Sequence, residues 1–365
     1  MTTPSPTPAP TSVRPIGARL LLTAVAAACA GALLILSFGY ADHAPRPHGV
    51  TVAVVGPSAA VQRTAAGLAH ALPGGFTVVR SPSAGAARAA LRAQRIRGAL
   101  VLGPGQRAPV LVAGAAGLSL SQVVGTALSA AASAARRHPV ITDIVPLPSH
   151  DRSGLDTFVL ELGLLIPSVI GSVGLYLVGL RSRLWWRVGA GSLFAVLVAG
   201  LGVLVMTQVF GALGGAWLAT LGIAALGALA FVLAVGAAQA TLGLPATGLM
   251  ALVLVFVGNA TSGGSVPTGM LPAVYREISP WLPNGAIVHG VRAVTYFGGH
   301  GLGQPLLALA LWAGGGVVVL LLNDALHLGA RRRRPDALVE IYATPGIVHA
   351  ARLARRRPTE AGGGA

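Results

Sequence analysis

Glu161 is an acidic side chain inside an apolar run, between Phe158-Val159-Leu160 and Leu162-Gly163-Leu164-Leu165-Ile166. A carboxylate deep in lipid costs about 2.5 to 3.5 kcal/mol on insertion scales, so Glu161 has to face protein or water, or lie shallow enough to reach an interface. Gln208, Asn259 and Asp324 pose the same choice in other apolar runs. They read either as interhelical hydrogen bonds or as groups along a pathway. Asp324 precedes Arg331-Arg332-Arg333-Arg334 by a few residues, and is expected to snorkel to or pair with that cluster.

A reactive set acting on lipid could be drawn from Glu161 with His289 or His300, but nothing in their spacing demands it. There is no Walker A loop, no His pair at metal-ligand spacing, no Gly-x-Ser-x-Gly elbow and no Gly-x-Gly-x-x-Gly after a strand, so nucleotide hydrolysis and common hydrolytic chemistry have no local signature. The expectation is a chain that is not itself an enzyme and carries no cofactor and no metal. No acidic relay runs through several apolar segments to support a proton pump. Cys29, the one cysteine, has no partner for an internal disulfide. Because Ala26-Ala27-Ala28 makes a poor lipobox, Cys29 reads as a small residue packed within a helix.

The elements that hold these residues follow from hydropathy. With 54% hydrophobic residues, 10% charged residues and a mean hydropathy of +0.73, the chain falls outside soluble-domain composition. Runs of the roughly 20 apolar residues that span a bilayer recur about six times. They predict spans at 18–40, 158–180, 188–210, 217–238, 246–260 and 306–328. The fifth is short and runs into Thr261-Ser262-Gly263-Gly264. From 268 to 300 the chain is too polar to span, and Pro272, Pro280 and Pro283 cut it into short pieces suited to an interfacial or re-entrant segment, with Trp281 and Tyr296 as interfacial rings.

Between the first two spans the pattern changes. Val50–Val55, Phe76–Val79, Gly98–Leu102, Val110–Ala113 and Val140–Val145 read as strands, alternating with helices opened by Ser58 and by Ser81-Pro82 and with a third near Ser119. That alternation predicts a small α/β domain with a mixed sheet. The organisation expected is a disordered leader at 1–17, the first span at 18–40, an extracytoplasmic domain at 41–155, a membrane domain at 156–328 with a re-entrant segment at 261–300, and a basic tail at 329–365.

The net charge of +16 comes entirely from arginine. These residues are dispersed rather than gathered in one patch, which argues against a nucleic-acid partner. Arg14, Arg19, Arg181, Arg183, Arg187 and Arg331–Arg334 lie on one side of the spans, against Arg276 and Arg292 on the other. The positive-inside rule then puts both termini in the cytoplasm.

The run Gly258-Asn259-Ala260-Thr261-Ser262-Gly263-Gly264-Ser265-Val266-Pro267, followed by Leu271-Pro272, Ile278-Ser279-Pro280-Trp281-Leu282-Pro283-Asn284-Gly285-Ala286 and Val291-Arg292, resembles the corresponding segment of type-2 ABC exporter membrane subunits. It is most similar to the phage-infection-protein (Pip/YhgE-like) branch, with Ser262, Gly263, Gly264, Pro267, Pro280, Pro283 and Arg292 as the motif residues. The order of one span, an extracytoplasmic domain and a block of spans is similar too. The resemblance implies a permease half in a bacterial plasma membrane, working as a homodimer or heterodimer with a separate ATPase subunit and exporting a hydrophobic or envelope-related substrate. The alternative is a non-transporting envelope protein whose extracytoplasmic domain binds a partner, such as a secretion accessory or a phage-receptor-like protein. In exporters of this type an amphipathic helix before the first span and an acid-containing loop meet the ATPase. Here the leader is Pro-rich and the loop at 181–187 is basic.

Overall fold

The computed structural model describes residues 16–179 and 183–333. The expectations for the leader before Ile16, for Arg181, for Arg334 and for the tail beyond it lie outside the described residues, as do those for the side chains of Arg331–Arg333.

Helix α1 spans Ile16–Asp42. After it, five strands form one mixed sheet: β1 (Val50–Val55), β2 (Phe76–Ser81), β3 (Gly98–Val101), β4 (Arg107–Val112) and β5 (His138–Asp143), in the order β2-β1-β3-β4-β5. Only the β3–β4 pair is antiparallel, because the short turn at Pro104-Gly105 reverses the chain directly. The parallel pairs are joined by helices, as parallel strands require. These are α2 (Ser58–Ala71) and α3 (Ala84–Arg92) before β3, and α4 (Leu118–Ala134) before β5. The expected opening of α3 shifts by two residues. Ser83, rather than Ser81, caps it by accepting the Ala86 N–H at 3.1 Å, and the Ser81 hydroxyl donates to the Ser83 carbonyl.

Strand alternation divides the domain core in two. Val50, Val52 and Val54 meet Leu68 of α2 and Val124 and Leu128 of α4 on one face, whereas Ala53, Leu111 and Leu91 of α3 meet on the other. Both cores are closed by residues from much later in the chain. Met270 and Val266 pack into the first, Tyr296 and Phe297 into the second.

Five helices of the described residues are long and apolar enough to cross a membrane: α1, with its apolar part at Leu20–Asp42, α5 (Asp156–Gly179), α6 (Leu184–Val209), α7 (Trp217–Leu242) and the Gly303–Leu326 portion of the last helix. The expected fifth span is instead a shorter apolar helix, α8 (Ala246–Thr261), which widens to π geometry over Leu252–Gly258. At about 24 Å it falls short of a hydrocarbon core of about 30 Å. Beyond α8 come α9 (Ala273–Ile278), α10 (Pro283–Tyr296) and α11 (Gly303–Arg333).

Helix α7 is the centre of the bundle, with 61% of its apolar window buried. Its Ala and Gly content lets neighbours come close. A Cβ at Gly227 would lie 2.5 Å from Ile287 of α10. Helix α1 stands at the opposite extreme, with only 6% of its window buried. It holds to the rest through Ser37, whose hydroxyl donates to the Phe256 carbonyl and shares a 2.9 Å bond with Tyr275, and through Phe38 and Ala41 against Ala260 and Leu271. Cys29 therefore does not pack as expected: it is exposed on α1.

Candidate functional site

The polar residues gather where the domain meets the ends of α5, α8 and α10. Helix α8 stops at Ser262, and Gly263 follows with φ +76°, the left-handed conformation that closes a helix and suits glycine. The buried Ser262 hydroxyl accepts the Gly264 N–H at 3.1 Å. This turn aims two carbonyls at α10, where Arg292, 5% exposed, donates Nη1 to the Gly263 carbonyl at 2.7 Å and Nη2 to the Gly264 carbonyl at 3.3 Å. Nη2 also reaches the Gly154 carbonyl, just before α5, at 3.4 Å. One guanidinium thus ties α8, α10 and the domain exit together, its positive charge set at the negative end of α8.

The glycines make this approach possible. A Cβ on Gly264 would lie 2.3 Å from the Phe158 ring of α5, and one on Gly117 would lie 2.5 Å from Pro267. Through that second contact the domain sits on the segment following α8. Further links are the His48 N–H to the Gly269 carbonyl at 2.9 Å and Gln94 Nε2 to the His300 carbonyl at 3.0 Å. Pro283 occupies the first turn of α10, where a missing N–H costs nothing. The Pro280 carbonyl accepts from Gln304 of α11. Ser262, Gly263, Gly264, Pro267 and Arg292 therefore belong to one buried joint, whereas Pro280 and Pro283 shape the opposite end of α10.

Charge around the joint is unevenly compensated. Asp151 accepts the Leu155 N–H at 2.9 Å, starting α5, and takes the Tyr296 hydroxyl at 3.5 Å. Burial first, then the negative Asp151, pushes the Tyr296 phenol above its ordinary range. Tyr296 is thus a domain-core residue rather than the expected interfacial ring. Burial lowers Arg292 to about 10, which leaves it charged at neutral pH. His289, partly exposed beside Gly263, is held below the ordinary imidazole value by burial and then by the positive charges of Arg292 and Arg97.

Deeper in the bundle, Glu161 is fully buried, about 8 Å along α5 from its start. Its Oε1 accepts Asn284 Nδ2 at 2.6 Å, and the same Nδ2 group donates to the Leu254 carbonyl of the π segment at 3.0 Å. A Cβ on Gly258 would lie 2.2 Å from Asn284 Oδ1, so a glycine is needed for Asn284 to enter. Of the four polar candidates, Glu161 meets Asn284, and Asn259 is buried one residue beyond that contact. Gln208 is exposed in the last turn of α6, and Asp324 is half-buried toward the C-terminal end of α11, next to Asn323, which donates to the Ala240 carbonyl. In the sequence Asn284 stands only within the run Pro280-Trp281-Leu282-Pro283-Asn284-Gly285 that carries the resemblance. Its pairing with a carboxylate 123 positions away leaves no local trace.

No protein-family model matches the chain, and no curated protein matches it.

Proposed function

We propose that the chain is the membrane subunit of an ABC-type export system, type-2 in architecture and similar to the Pip/YhgE-like branch, moving a hydrophobic or envelope-related substrate with a separate ATPase. The observation that carries this reading is the joint itself. Several of the residues by which the sequence resembles those exporters, Ser262-Gly263-Gly264, Pro267 and Arg292, gather in the buried joint that fixes the domain onto α5, α8 and α10. In this reading α8 and the segment at 261–300 together replace a sixth crossing and lie toward the outside of a bacterial plasma membrane, both termini are cytoplasmic, and the subunit dimerises. Arg183, Arg187 and the stacked, exposed Trp185 and Trp186, with ring centroids 4.1 Å apart, suit the inner interface.

The test is purification of the full chain from its native membrane in mild detergent, with the associated proteins identified and ATP hydrolysis measured in lipid. An ATPase that copurifies in stoichiometric amount, with hydrolysis that changes when Arg292 is replaced, supports the proposal. A homogeneous protein free of ATPase refutes it.

One observation favours the alternative of a partner-binding envelope protein. Strand β5 is a free edge of the sheet with Val140 and Ile141 45% and 58% exposed, and such an edge can accept an added strand. In that case a protein bound through 138–143 would copurify instead.

A further inference from the structure

Buried polar atoms in folded proteins almost always find partners, and each exception calls for a physical reason. Around Glu161 the exceptions are all oxygens. Glu161 Oε2 and Asn284 Oδ1, on two fully buried side chains already joined by the 2.6 Å bond, have no hydrogen-bond partner. The Asn284 amide cannot be turned to cure this. Its nitrogen faces two acceptors, Glu161 Oε1 and the Leu254 carbonyl, and reversing it would set oxygen against oxygen. Four further oxygens on the neighbouring segments are buried without partners: Asp156 Oδ2 and Thr157 Oγ1, about one turn earlier on α5; Asn259 Oδ1, adjacent to the Gly258 that packs on Asn284; and Ser279 Oγ, which lies against Gly285.

Among the described residues, no side-chain cation meets the carboxylate. Helices α7 and α8 carry no charged residue, and α6 has only Arg187, near its opposite end. On α5 itself, Asp156 lies one turn toward the domain and adds negative charge. Helix α9 offers Arg276, which reaches the His48 carbonyl, and Glu277. On α10, His289 and Arg292 stand one to two turns beyond Asn284, and the Arg292 guanidinium is committed to the Gly154, Gly263 and Gly264 carbonyls. A lone buried carboxylate beside an unpaired amide oxygen is unfavourable, and one positive charge placed between Glu161 Oε2 and Asn284 Oδ1 relieves both problems.

We propose that Glu161 and Asn284 form a site for a single small monovalent cation, Na+ or a proton, held between Glu161 Oε2 and Asn284 Oδ1. Donor chemistry suits either occupant. A carboxylate, an amide oxygen and hydroxyls beside an irregular helix are oxygen ligands for a hard cation. A proton on Oε2 would donate to Oδ1 and close a two-bond acid–amide pair. The site lies at the base of the joint, so its occupancy bears on how α5 and α10 are held together.

The full-length protein in lipid nanodiscs is unfolded thermally in NaCl, KCl and choline chloride at equal ionic strength, and the protonated-carboxyl C=O stretch is recorded by infrared spectroscopy in H2O and D2O. A melting temperature raised by a few degrees and saturably by Na+ identifies sodium. A deuterium-sensitive carboxyl band without a sodium effect identifies the proton. Either signal must vanish in Glu161→Gln, whose amide can bond both Asn284 atoms with no cation and so preserves the fold. Asn284→Ser, which shortens the acceptor, must weaken the sodium response or shift the band, and serves if Glu161→Gln does not fold. Absence of both signals in the wild type overturns the proposal, as does a sodium response that persists in Glu161→Gln.

Discussion

Replacing Arg292 by methionine keeps most of the side-chain volume and removes the three guanidinium hydrogen bonds that join α10 to the end of α8 and to the Gly154 turn. The Gly263 carbonyl loses a charged partner at 2.7 Å, and the Gly264 and Gly154 carbonyls lose longer contacts at 3.3 and 3.4 Å. A hydrogen bond to a charged group contributes about 1.5 to 3 kcal/mol. The short bond is counted in full, and the two long ones together as roughly one more neutral bond of about 1 kcal/mol. Against this, methionine no longer has to bury a guanidinium, which returns part of the desolvation cost. The expected net loss is about 2 to 4 kcal/mol, read from equilibrium unfolding in mixed micelles. Arg292→Lys keeps the charge but not the fork and should lose about half as much. Limited proteolysis should show new cleavage at 153–155 and 263–267 in the methionine variant. A loss below about 1 kcal/mol, or a lysine variant no better than methionine, would refute the view that the guanidinium holds the joint.

Three other outcomes follow from the same geometry. Gly264→Ala puts a Cβ 2.3 Å from the Phe158 ring and should cost about 1 to 3 kcal/mol; a double-mutant cycle with Phe158→Ala should recover much of it, and additive losses would show that the two do not touch. The domain expressed alone as residues 43–155 lacks Val266, Met270, Tyr296 and Phe297, which close its two cores, so it should bind an apolar dye and melt without cooperativity; a sharp, dye-free transition would contradict this. His289, held below the ordinary imidazole value of 6.5 by burial and by the positive charges beside it, takes up a proton more readily when unfolded. Stability should therefore fall as pH drops below about 6.5, by at most about 1.4 kcal/mol per pH unit from this group, and His289→Gln should flatten that slope in a pH series of unfolding curves.

Much of the architecture is readable from local signals. Apolar run length located the ends of α5, α6 and α7 to within a few residues, because a run of that length has few ways to satisfy its backbone except as a helix in lipid. Short apolar runs between turn signals located the five strands to within a few residues. The Gly263-Gly264 pair was legible as a helix stop. Its second role, presenting two carbonyls to Arg292, was not, since the acceptor and donor lie 28 and 29 positions apart. Tyr296 was misread because an aromatic residue near a membrane surface and one closing a sheet core look alike in sequence. Gln208 and Glu161 look equally anomalous within their runs, yet one is exposed and the other fully buried. What separates them is Asn284, and nothing near either residue announces it.

The two cores of the domain are finished by residues made more than a hundred positions after β5. At about 5 to 20 residues per second of synthesis, the sheet waits on the order of ten seconds with both faces open. During that interval it is a natural client for chaperones and proteases on its side of the membrane. Closure comes only when 266–270 and 296–297 arrive, which requires the intervening helices to have inserted correctly. A chain with a missing or inverted helix would leave both faces of the sheet uncovered, so the packing of the domain depends on the correct path of the helices that follow it.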